Sequence, residues 1–125
     1  MNKVLSVIVA LLGVLFVVIG LRWLIDPLAA GGQLGMPLLE GIGRSTQIGD
    51  LSAFFLTVGA SLLFAVITAK RTWYYPAIML LGFAAVGRVL AWSFHDAALA
   101  IDLIAPEVII ACFLLFASRR LTVQD

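Results

Sequence analysis

The chain has 125 residues, 63% of them hydrophobic and only 12% charged. Its mean hydropathy is +1.15, which leaves too little polar surface for a soluble domain of this length. The net charge of +1 provides no basic patch for nucleic acid. The single cysteine, Cys112, allows neither an intrachain disulfide nor a CxxC redox pair; within an apolar run it reads as an inert core or lipid-facing residue. The expected protein is one all-α domain over residues 1–125, a polytopic membrane protein built as a four-transmembrane-helix bundle.

The first helix is expected at about 4–24. Residues 4–21 carry no charge, a run longer than the roughly 7–15 residues of a signal-peptide core, so it reads as a retained span. Gly13 and Gly20 fall seven apart on one face, where a neighbouring helix can approach closely. Lys3 marks one interface and Arg22, Trp23 and Asp26 the other, and Pro27 is read as the stop. Residues 26–45 form a glycine-rich connector, long for a small bundle. Its apolar middle, 36–42, predicts a lid packed back over the helices.

The second helix is expected at about 46–69, capped by Ser45 or Thr46. It carries small residues every fourth position, Gly49, Ala53, Thr57, Ser61, Ala65 and Ala69, a pattern suited to close helix packing. Asp50 would then lie in the first turn, where the helix dipole favours a carboxylate. Lys70 and Arg71 make a tight turn, and Trp73, Tyr74 and Tyr75 an interfacial aromatic belt. A third helix follows at about 73–94, ended by His95 and Asp96, and a fourth at about 98–118, with Asp102 near its start and Pro106 in its first third. Four helices place Lys3, Lys70, Arg71, Arg119 and Arg120 on one side. By the positive-inside rule both termini are expected in the cytoplasm of a bacterial inner membrane.

Arg88 and Glu107 lie inside apolar runs. Each charge there costs about 2.5–3.5 kcal/mol on insertion scales, so such residues face the bundle interior and pair. Arg88 falls roughly 25 Å, and Glu107 roughly 18 Å, from the positively charged side at about 1.5 Å of rise per residue. Both therefore belong to the half of the bundle under the long connector. Arg44, Asp50, Arg88, His95, Asp102 and Glu107 form the candidate cluster. One reading makes it structural, Arg88 with Glu107 and Arg44 with Asp50, because the guanidinium fork suits a carboxylate. The other makes it a pocket for an anionic headgroup or carboxylate. One arginine and one glutamate do not make a proton relay through a core of about 30 Å. His95, Asp96 and Asp102 fall short of the four ligands, mostly Cys and His, of a structural zinc site, so no metal and no cofactor are expected. No Ser-His-Asp set, phosphate loop or HExxH is present, and no catalytic residue is assigned.

Arg44 followed by Gly49, then Gly87-Arg88, a short polar turn with Asp96, and Glu107 in the last helix resemble a group of small bacterial four-helix membrane proteins, loosely DoxX-like. The resemblance spans about 44–118. It implies a four-helix bundle and membership of a larger membrane complex; some DoxX-like proteins are subunits of quinone-linked sulfur oxidoreductases. This chain has no redox cysteine pair and no haem-type histidine pair, so that activity does not transfer.

The leading expectation is a non-enzymatic accessory or binding subunit, in contact with the lipid bilayer and part of a homo- or hetero-oligomer. The alternative is a small-molecule or lipid binder or transporter using Arg88 and Glu107. A third is a quinone- or lipid-linked enzyme subunit.

Overall fold

A computed structural model describes residues 2–122. The helices are α1 (Asn2–Ile25), α2 (Pro27–Gln33), α3 (Gly41–Thr68), α4 (Tyr74–Phe94) and α5 (Ile101–Arg120), with a 3-10 turn at Arg71–Trp73 before α4. No strand occurs among the described residues. Four of the helices, α1, α3, α5 and α4 with its preceding turn, are long and apolar enough to cross a membrane. The expected all-α four-helix bundle is therefore the fold.

Two local departures change the connector. Pro27 does not merely stop α1: it opens α2 at the first helical position, where its missing N–H is no loss and its fixed φ suits a helix. The Asp26 side chain accepts from the Ala29 N–H at 3.5 Å. Next, α3 begins at Gly41 with Glu40 as its N-cap, so neither Ser45 nor Thr46 caps it. Asp50 consequently stands in the third turn, beyond the reach of the helix-end field. The early start follows from two ties between α3 and the chain before it, made by Arg44 and Gln47. The last helix also starts later than expected, at Ile101.

Glycines bring α1 and α3 together backbone to backbone. A Cβ on Gly59 would lie 2.6 Å from the Val17 amide nitrogen and 2.7 Å from the Gly13 carbonyl oxygen, and one on Gly20 would lie 2.7 Å from Leu56 Cγ. Close van der Waals packing of this kind drives helix association where lipid removes the hydrophobic effect. Gly13 and Gly20 thus act as expected, but Gly13 packs against Gly59 and Leu63, and Gly20 against Leu56, none of them in the predicted small-residue stripe. Of that stripe, Ser61 and Ala65 are buried, whereas Gly49, Ala53 and Thr57 face outward.

Helices α4 and α5 form a second pair, and the two pairs close tightly at one end only. The buried residues of α4 are Tyr74, Ala77, Leu81 and Ala85, with none beyond the helix middle. Those of α5 are Leu114, Ala117 and Ser118, all in its last third. Tyr74, Ala77, Leu81, Leu114 and Ala117 make the core together with Val9, Val58 and Leu62, at the end where α1 begins and α5 ends. There Asn2 Nδ2 donates to the Arg120 carbonyl at 3.4 Å, and Arg71 Nε to the Ser118 carbonyl at 3.4 Å. At the opposite, connector end the pairs part. The outward faces, with Val7, Leu11, Val18, Phe83 and Ile109 exposed, are those a bilayer covers.

Candidate functional site: an interhelical cavity with one ion pair

The space between the parted pairs is a cavity of about 590 Å3, within the roughly 300–1,000 Å3 of small-molecule sites. All four long helices line it, through residues such as Phe16 of α1, Phe55 of α3, Ala84 of α4 and Ile110 of α5. Leu34, from the connector after α2, reaches the lining as well. Among the described residues, its only charged lining residues are Arg88 and Glu107.

Arg88 Nε donates to Glu107 Oε1 at 2.9 Å and Nη2 donates to Oε2 at 3.3 Å. This is the bidentate fork geometry that gives guanidinium–carboxylate pairs their strength and direction. It is the one ion pair among the described residues. The Arg88 side chain is 30% exposed and that of Glu107 12%, so the arginine is the less enclosed partner of the pair. Nη1, with two N–H donors, has no partner among the described residues. Pro106 sits beside Glu107 in the cavity wall. It removes one rung of the α5 ladder and leaves the Asp102 carbonyl without its usual intrahelical donor.

The remaining cluster residues are placed as follows. Asp102 is exposed and lines a smaller groove of about 310 Å3 between the two connectors. That groove shares Leu34 and Leu103 with the main cavity. Arg44 is exposed and its Nε donates to the Leu39 carbonyl at 2.7 Å; it makes no ion pair with Asp50, which is exposed. His95 is exposed and caps the end of α4 through its backbone N–H, which donates to the Ala91 carbonyl at 2.9 Å. No group of three or more His, Cys, Asp or Glu that could hold a metal occurs among the described residues. Of the six residues, then, Arg88 and Glu107 meet, Asp102 is close by, and Arg44, Asp50 and His95 line neither space.

Gln47, outside the expected cluster, holds the connector down. It is buried; its Oε1 accepts the Leu39 N–H at 2.9 Å, and its Nε2 donates to the Pro37 carbonyl at 3.0 Å. Gly31 of α2 packs over the fully buried Trp23, where a Cβ would come within 3.4 Å of the indole ring. The connector is thus tied to the bundle through α2 and Gln47, whereas much of the apolar middle expected to pack does not, with Leu39 47% and Ile42 87% exposed. The signal for Gln47 was available in principle: it is the lone side-chain amide of α3, shortly after a proline-containing stretch with backbone groups to satisfy.

No protein-family model, curated protein or solved structure matches the chain. The fold and the site therefore define its class on their own: a four-helix membrane-spanning bundle with an apolar cavity and a paired charge in the cavity wall.

Proposed function

We propose that the chain binds a small amphipathic molecule or lipid in the cavity between its two helix pairs, with Arg88 and Glu107 holding the polar end of the ligand. The observation that carries this reading is the placement of the ion pair. A pair serving only to lock helices in register works best where packing closes around it, yet this one lies in the wall of a 590 Å3 space. Large apolar pockets between helices with a few polar groups in the wall are the usual form of a binding site. In this proposal the chain lies in a bacterial inner membrane with both termini in the cytoplasm, which the basic residues Lys3, Lys70, Arg71, Arg119 and Arg120 support. A place among DoxX-like proteins is part of the proposal and rests on Arg44, Gly49, Gly87-Arg88, Asp96 and Glu107.

The test uses Gly87→Leu. Gly87 lines the cavity and nothing stands within 4 Å of a Cβ placed on it, so a larger side chain starts there in open space and leucine is expected to take up part of the cavity. A lipid extract of the native membranes is expected to raise the melting temperature of the purified wild-type chain and leave that of Gly87→Leu unchanged. An equal response of the two proteins refutes the reading.

A second reading, an accessory subunit of a larger membrane complex, is favoured by the outward small residues Gly49, Ala53 and Thr57 of α3, which find no close partner within the chain at Gly49. Its signature is co-extraction with a second polypeptide in mild detergent. Solitary behaviour in every mild detergent contradicts it.

A further inference from the structure

We propose that the cavity selects an uncharged amphiphile whose polar end offers hydrogen-bond-accepting oxygen, a carbonyl, ester or hydroxyl group, and that it rejects anionic heads. This rests on the binding reading above and reverses the sequence-based expectation of an anionic ligand.

Net charge is the first argument. Among the described residues Arg88 and Glu107 are the only charged groups in the lining, and each oxygen of the carboxylate already accepts one guanidinium N–H. The pair sums to zero. An anionic head must either displace Glu107 from both bonds or leave a net negative charge in an apolar space, and unpaired charge there is strongly disfavoured. A neutral head incurs neither penalty.

The second argument is the free hydrogen-bonding capacity. Arg88 is the more exposed partner, its Nη1 is unengaged among the described residues, and guanidinium can only donate. The site therefore asks for an acceptor. No other side chain of the lining supplies a polar hydrogen or acceptor among the described residues.

The surroundings point the same way. Arg44, the other cation expected to attract an anion, is held on the Leu39 carbonyl and does not line the cavity. The adjoining groove carries Asp102 and Gln33 and, among the described residues, no cation. An acidic rim opposes the approach of an anion.

Three probes with one hydrocarbon chain and different heads separate the possibilities: methyl oleate, oleate at pH 9 and oleylamine. Each is added to the full chain in phosphatidylcholine nanodiscs, and bound probe is read by native mass spectrometry. Methyl oleate is expected to be retained at least about tenfold better than either charged probe, about 1.4 kcal/mol in binding free energy. In the double variant Arg88→Leu/Glu107→Leu, which keeps the wall apolar and leaves no orphan charge, that preference is expected to vanish. Preferential retention of oleate or oleylamine overturns the neutral-head proposal while leaving a binding site in place. Retention of no probe, or equal retention by wild type and Gly87→Leu, removes the binding reading itself and the proposal with it.

Discussion

Deleting one partner of the Arg88–Glu107 pair should cost more than deleting both. Breaking a buried ion pair by removing one side costs about 3–5 kcal/mol, whereas replacing both sides with apolar groups is close to neutral. Arg88 retains 30% of its side-chain exposure, and a long arginine can carry its head toward water. The expected cost of Arg88→Leu or Glu107→Leu alone is therefore discounted to about 2–3 kcal/mol. Arg88→Leu is the worse of the two, because it strands a carboxylate that is only 12% exposed. The double variant should lie within about 1 kcal/mol of wild type, giving a coupling energy of roughly 3 kcal/mol or more. The assay is reversible unfolding in mixed micelles, followed by circular dichroism, for the four proteins of the cycle. Additive effects, with a coupling below about 0.5 kcal/mol, would mean that the two side chains do not form the bidentate pair and would refute the reasoning.

Gly59→Ala should destabilise the bundle by about 1–3 kcal/mol through overpacking, since the new methyl would meet the Val17 amide nitrogen at 2.6 Å. Gly82→Ala, where nothing stands within 4 Å, should be neutral or stabilising in the same unfolding assay, and equal losses at both positions would contradict the α1–α3 contact. Ala69 ends α3 in the left-handed region, with φ at 55°, so Ala69→Gly should raise stability by roughly 0.5–1 kcal/mol; a lower melting temperature would count against that backbone geometry. Gln47→Leu removes the partners of the Leu39 N–H and the Pro37 carbonyl, at a cost of about 1–3 kcal/mol. Hydrogen exchange should then accelerate at the Leu39 amide, and unchanged protection there would show that Gln47 does not hold the lid.

The membrane-spanning helices were legible because three properties agree along the chain: long uncharged runs, interfacial aromatics, and basic residues at alternate ends. The Arg88–Glu107 meeting was legible for a related reason, since two opposite charges in adjacent apolar spans have few other partners. The connector was less so. Ser45 and Thr46 have the right chemistry for a cap, but capping is a preference of about 1 kcal/mol. Here the bonds of Arg44 and Gln47 to residues 37–39 extend the helix past them. Gly59 was hidden for a different reason. A stripe of small residues marks a face able to accept a close neighbour, yet which face does so depends on where α1, with Gly13 and Val17, falls after folding. The cavity has no sequence signature of its own: it results from two helix pairs that close at Tyr74 and Leu114 and part before Arg88 and Glu107. The same parting explains why Arg44, Asp50 and His95 fell outside the site: depth in the membrane can be counted from sequence, but rotation about a helix axis was fixed by packing.

The most direct test of a ligand held at this pair is native mass spectrometry of the chain extracted gently from its own membranes, beside the Arg88→Leu/Glu107→Leu double variant. The wild-type protein is expected to carry a bound mass of a few hundred daltons, and the folded double variant to carry it at much lower occupancy or not at all. A bare wild-type chain, or the same adduct at the same occupancy on both proteins, would contradict a ligand held by Arg88 and Glu107.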